Sequence, residues 1–215
     1  MTERPDSRAP KQARAAWTRE RLLDVFAELL AERPVDEIRL ADVAARAGVT
    51  VGAIYGRFDG KNEMVVAAYE RYADDAVKRM ESWADDPRWA TATPREVVAS
   101  WVNGMFAFTG RRQPVVHLSA GTTEQRIIDA EWRVATCSAE KLTQLLRPLA
   151  ADQDGTLDRK VGFAVVACRS TMVHRASIPT TGPVGFDDTE LLESFIDLII
   201  GMAGLPTTAQ PERRR

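Results

Sequence analysis

Hydrophobic positions recur at three- and four-residue spacing along almost the whole chain, the period of helices packed on one face. Leu22, Leu23, Phe26, Ala27 and Leu30 predict an amphipathic helix over about Trp17 to Glu32, stopped by Pro34. A short helix follows over about Leu40 to Ala47, ended by Gly48, and another covers about Thr50 to Arg57. Asp59-Gly60 then punctuates, and a long fourth helix runs from Lys61 to about Trp83. Beyond Asp85-Asp86-Pro87, the run Thr93-Pro94-Arg95-Glu96 reads as a capped start, and that helix ends near Gly110. Ile128, Trp132, Ala135, Ala139, Leu142, Leu145 and Leu149 mark the expected apolar stripe of a helix over about Thr122 to Leu149. Two more helices are expected over about Leu157 to Ala176 and Asp188 to Ala203, with a Pro/Gly-rich loop between them. Alternation of the strand type never persists, so the fold class is all-α.

The last two predicted helices are apolar almost all round. Val161, Phe163, Ala164, Val165, Val166, Ala167 and Cys168 leave little polar face on the first, and Leu191, Leu192, Phe195, Ile196, Leu198, Ile199 and Ile200 leave less on the second. One face packing inside and the other against a twofold mate accounts for this; a central buried helix in a monomer is the alternative.

Composition narrows the classes. A chain of 215 residues, 45% hydrophobic and 28% charged, has no apolar run of membrane-spanning length. The polar stretch Met1 to Ala16 lacks the apolar segment of a secretory signal. Two cysteines, Cys137 and Cys168, lie inside predicted helices, which fits a reducing cytoplasm better than a disulfide framework. The net charge of −2 gives no global sign of a nucleic-acid partner. Locally the first 21 residues carry +3 and the segment Arg39 to Lys61 carries +2.

The segment from Leu40 to Tyr55 carries the strongest chemical signal. A helix-turn-helix needs a small residue where its helices cross, a residue that tolerates positive φ in the turn, and apolar plugs. Ala44, Gly48, and the set Val43, Val49 and Ile54 supply these in turn. The spacing by itself serves a hairpin of an ordinary helical bundle equally well.

With Val43-Ala44, Ala47-Gly48-Val49, Ile54-Tyr55, Phe58 and Lys61 in place, the run from Arg21 to Tyr69 resembles the DNA-binding domain of the TetR family. The resemblance implies a three-helix DNA-binding domain joined by a long fourth helix to a larger helical ligand-binding and dimerisation domain. The chain would then divide into a disordered basic arm (1–16), a helix-turn-helix domain (17–60), a ligand-binding and dimerisation domain (61–205) and a disordered tail (206–215). Its partners would be an operator duplex, a second copy of itself through helices of about 157–176 and 188–203, and a small hydrophobic effector.

Carried over by position, the resemblance implies that Thr50 starts the recognition helix and meets phosphate, that Tyr55 and Arg57 touch backbone or base edges, and that Lys61 meets a phosphate. The chain departs from the family in carrying Arg39 where a Ser or Thr commonly precedes the second helix. It departs again in the recognition helix, whose outward positions are Val51, Gly52, Ala53 and Gly56. None of these makes the bidentate bonds that read guanine or adenine; Val51 and Ala53 reach only thymine methyls. Base reading is therefore expected from Arg46 or Arg57, or from the basic arm in a minor groove.

Trp101, Met105 and Phe108, with His117, Trp132 and Met172, form a candidate pocket for an apolar or aromatic ligand, against the alternative of plain core packing. His117, His174, Cys137 and Cys168 stand on separate segments without the short paired spacing of a zinc site, so no metal and no cofactor are expected. The absence of a Ser/His/Asp signature, a phosphate loop or a His-Glu-x-x-His motif makes a helical-bundle enzyme a poor fit. The expected function is a ligand-responsive transcriptional regulator of the repressor type. An architectural DNA-binding dimer without effector is the other reading.

Overall fold

The computed structural model describes residues 11–150, 155–175, 178, 180–183 and 185–206, and among these every regular element is a helix. The N-terminal helices are α1 (Lys11–Glu32), α2 (Leu40–Ala47), α3 (Val51–Tyr55) and α4 (Gly60–Ala84). The remainder are α5 (Pro94–Arg111), the one-turn α6 (Gln113–Val116), α7 (Gln125–Leu146), α8 (Leu157–Val173) and α9 (Asp188–Ala203).

Local chemistry explains most of the boundaries. Thr93 caps α5: its hydroxyl accepts the Glu96 N–H at 3.3 Å, while the Thr93 N–H donates to the Glu96 carboxylate at 2.8 Å. Asp187 and Glu190 repeat the device at α9. The start of α1 differs from expectation. Helix extends through Lys11–Ala16, part of the segment expected to be a disordered arm. The apolar stripe stops at Trp17, but Lys, Gln, Arg and Ala are good helix formers and carry the helix further back. The rest of that arm, residues 1–10, and the tail from residue 207 lie outside the described residues.

Three cores are stacked along the molecule, and α4 enters all of them. Met64, Ala67 and Ala68 pack with Leu22, Leu23, Phe26 and Leu29 of α1 and with Val43, Ala44 and Ile54. Val66, Tyr69, Tyr72 and Ala73 pack with Phe108, Val116, Ile127 and Val134. Met80 reaches the last core, built on Trp101, Leu142, Leu146, Val161, Val165, Phe195 and Ile199. A 25-residue helix is long enough for this, at about 38 Å. Ion pairs fix its register: Arg71 of α4 meets Asp24 (2.9 Å) and Glu20 (3.2 Å) of α1, and Arg126 of α7 meets Glu63 (2.7 Å) and Glu70 (2.9 Å) of α4.

On α7 the expected stripe is rotated. Ile127, Ala130, Val134, Ser138, Leu142 and Leu146 are buried, whereas Trp132 is 56% exposed and Leu149 is also exposed. The helix lies against both α4 and α8, and small Ala130 and Ser138 permit close approach, so its largest side chain is left outside. No helix among the described residues is long and apolar enough to cross a membrane.

Burial separates the two thiols. Cys168 is fully buried and its pKa is pushed up to about 12 by desolvation, while Cys137 is only half-buried. Maleimide at about pH 8 should label Cys137 alone in the native protein, with Cys168 reacting only on unfolding. Mass spectrometry of the labelled peptides checks this.

Candidate nucleic-acid interface and ligand cavity

The corner between α2 and α3 is made by Gly48. Its φ of 70° is left-handed, and its N–H donates to the Ala45 carbonyl (3.2 Å) while the Val49 N–H returns to Ala44 (3.0 Å). Those paired bonds end α2, and Thr50 begins α3 by accepting the Ala53 N–H at 3.2 Å. Ile54 turns inward and is fully buried, as are Val43 and Phe58. The opposite face then shows Thr50, Val51, Gly52, Tyr55 and Gly56 to solvent. Tyr55 is 61% exposed, and its hydroxyl makes no hydrogen bond among the described residues.

Of the eight positions singled out by sequence, four stand on this face: Thr50, Val51, Gly52 and Tyr55. Arg39 is exposed at the N-cap of α2, where its N–H donates to the Asp42 carboxylate at 3.3 Å. The other three are engaged inside the protein. Arg57, just past the end of α3, folds back on that helix, donating to the Ala53 carbonyl at 2.8 Å and to the Ala15 carbonyl of α1 at 3.4 Å. Lys61 donates through Nζ to the carbonyls of Val35 (3.0 Å) and Asp36 (3.2 Å), closing the α1–α2 turn. Arg46 forms a bidentate pair with Glu32 at 2.6 and 3.0 Å, and that hydrogen bond lowers the Glu32 pKa and raises that of Arg46. Arg57 and Lys61 thus have structural duties that spacing along α3 and α4 does not reveal.

A cavity of about 580 Å³ lies between α4, α5, α7 and α8. Trp101, Met105 and Phe108 line it together. His117, Trp132 and Met172 do not: His117 sits in the turn after α6 beside Gln113, Trp132 faces outward, and Met172 packs in the last core. The polar lining went unread: Arg79, Thr109, Ser138 and, above all, Arg169. One signal for it was present, because Arg169 is the lone charge within the run Val161–Val173.

Arg169 is 7% exposed and forms three hydrogen bonds with Glu131 of α7, at 2.8, 2.9 and 3.0 Å. Burial works against its charge, but Glu131 and the neighbouring tyrosines outweigh that and hold its pKa up. Glu131 also accepts the Tyr69 hydroxyl of α4. Burial first, and then the charge of Glu131, push the Tyr69 pKa upward, so it stays a neutral donor.

Residues 22–68 match the family profile described as bacterial regulatory proteins, tetR family. The chain is 27% identical over 122 residues to the HTH-type transcriptional repressor BepR of Brucella suis, covering 49% of this chain and 58% of BepR. The alignment therefore spans less than two thirds of that relative. In fold, it is similar to a TetR-family regulator from Streptomyces coelicolor, with a TM-score of 0.66 at 18% identity over 88% of this chain and 80% of that one. It is similar also to SmeT, repressor of the Stenotrophomonas maltophilia efflux pump SmeDEF, with a TM-score of 0.64 at 20% identity over 85% and 88%.

The corner itself can be tested without DNA. Nothing lies within 4 Å of a Cβ built on Gly48, so Gly48→Ala meets no clash and pays only for the left-handed backbone, roughly 1–2 kcal/mol. Urea melts should show that loss, and an unchanged midpoint would contradict the αL corner.

Proposed function

We propose that the chain is a TetR-type transcriptional regulator of the repressor type that grips duplex DNA with α2 and α3 and is released by a small ligand, a reading supported by the tetR-family profile match over residues 22–68 and by the shared fold. The observation that carries this is the exposed face of α3, held out by the Gly48 corner with no other element packed over it among the described residues. On it, the Thr50 and Tyr55 hydroxyls donate to phosphates, and Val51 touches thymine methyls in a major groove. Arg39 adds a cation at the edge. Arg46 joins them by exchanging Glu32 for a phosphate, since exposed ion pairs hold weakly. Arg57 and Lys61 support the face from behind.

Gly52 and Gly56 fit the same reading. A Cβ on either would meet only ordinary contacts within the chain, at 3.6 Å or more. Gly56 is the C-cap of α3, but Gly52 lies within the helix, where glycine costs roughly 0.8–1 kcal/mol against alanine. The bare backbone therefore serves a close approach from outside, which a DNA groove provides.

The assembly is a homodimer through α8 and α9. Phe163 of α8 is 63% exposed, and Val166, Leu192, Leu198 and Met202 are half-buried although apolar. A twofold mate on that face would place two α3 helices on successive half-sites of a near-palindromic operator. The cavity behind α4 is the effector site, and the long helix carries its state to the DNA-binding end. An architectural dimer without effector has nothing in the structure to favour it over this reading.

Two measurements test the reading. Sedimentation at micromolar concentration should give about twice the 23.8 kDa chain mass, and a monomer would remove the paired-half-site geometry. Fluorescence anisotropy with a duplex should show Thr50→Ala plus Tyr55→Ala losing about tenfold or more in affinity. Thr50→Ala also removes the α3 cap and costs about 1 kcal/mol, whereas the exposed Tyr55→Ala alone should weaken binding severalfold with no loss of thermal stability. Undiminished binding by the double variant would defeat the α3 interface.

A further inference from the structure

The cavity between α4, α5, α7 and α8 presents hydrogen-bond donors and no free acceptor acid. Arg169 uses Nε and Nη2 on Glu131, and its Nη1 makes no hydrogen bond among the described residues. Ser138, 4% exposed and on the cavity wall, has a hydroxyl without a partner among them. Tyr72 stacks on Phe108 at 5.6 Å and sets its buried hydroxyl beside the Arg169 guanidinium, behind the cavity wall. Donors left open on a largely buried cavity wall suit an acceptor that arrives with a ligand.

Charge points the same way. Lys78, Arg79, Arg88 and Arg169 line the cavity against a single acid, Asp86, which is already paired with Arg88 at 3.3 Å. Arg79 makes no ion pair among the described residues; its guanidinium stands 5.8 Å from the Phe108 ring centre. A cationic ligand would have to settle beside a buried guanidinium. An inorganic anion would satisfy the donors yet leave most of about 580 Å³, walled by Trp83, Trp101, Met105 and Phe108, unfilled.

We propose that this cavity takes an amphipathic organic acid, its carboxylate on Arg169 Nη1 and Ser138 and its apolar or aromatic body against Trp101, Met105 and Phe108. The proposal rests on the reading of the chain as a ligand-released regulator and names the ligand class for it. It also supplies the coupling. A carboxylate on Arg169 competes with Glu131 for the guanidinium, and Glu131 is the group that holds Tyr69 of α4. Occupancy therefore loosens the tie between α7 and the helix that carries the DNA-binding unit, and a ligand shifts the protein only by such a difference between its two states.

The probes are 2-naphthoate, 2-naphthamide and 2-naphthylmethylammonium, alike in body and different in charge. Titration of the full-length protein is followed by tryptophan fluorescence, since Trp83 and Trp101 line the cavity. Naphthoate should bind about tenfold or more tightly than either of the others, because a hydrogen bond to a charged partner is worth more than a neutral one. Ser138→Ala and Arg79→Ala should each weaken naphthoate severalfold and leave the amide unchanged. Both spare the Arg169–Glu131 pair, and melts confirm that each variant folds. Equal or tighter binding of the amide or the ammonium overturns the proposal, as does a flat fluorescence signal for naphthoate up to its solubility limit. Release of DNA is read separately. Naphthoate that binds with the expected preference but leaves DNA affinity unchanged keeps the acid site and removes the ligand-release reading. DNA released by the ammonium alone keeps that reading and removes the acid site.

Discussion

A guanidinium buried on α8 has to be neutralised, and the group that neutralises it is also held by α4. Arg169, Glu131 and Tyr69 thereby tie three helices at one point, between the core of α1, α2 and α3 and the C-terminal core. Such a buried pair adds little net stability over a well-packed apolar substitute, but losing one partner leaves a charge uncompensated and costs about 3–5 kcal/mol. Its value is geometric. It sets where α7 and α8 lie relative to α4, and α4 runs on into the core of α1, α2 and α3. Any change in that ion pair is felt by a helix that belongs to all three cores.

The end built from α1, α2 and α3 is made to be positioned rather than to adapt. α3 is five residues long, capped at Thr50 and anchored by Ile54, with Arg57 fastening its end to α1. Lys61 and Arg71 bind α4 to the turn after α1 and to α1 itself. In the proposed role, so few outward side chains leave recognition to how closely and at what angle α3 enters a groove. α4 packs with α1, α2 and α3 and also walls the cavity, so it is the proposed link between the two.

Sequence revealed what is decided locally. Gly48, the Thr93 and Glu96 cap, Pro34 and the three- to four-residue apolar period act within a turn or two of the chain, and each stands where expected. What it hid depends on residues far apart. Arg57 meets Ala15, Lys61 meets Val35, and Arg169 meets Glu131, at separations of 42, 26 and 38 positions. A cation that looks available for phosphate along one helix is thus occupied by a carbonyl from another. The stripe on α7 was misplaced for a related reason: with neighbours on two sides, the buried arc follows the small residues Ala130 and Ser138 rather than the bulky Trp132. Only half of the proposed pocket could be read, because Trp101, Met105 and Phe108 share one helix while His117, Trp132 and Met172 do not.

The central claim is that two copies of α3 read one duplex. Enrichment of bound sequences from a random duplex pool by the purified full-length protein tests it most directly. The enriched sequences should carry two inverted half-sites about one helical turn apart, with thymine-rich contacts opposite Val51 and weak discrimination elsewhere. A pool that gains no motif, or gains a single half-site without its inverted mate, would contradict it.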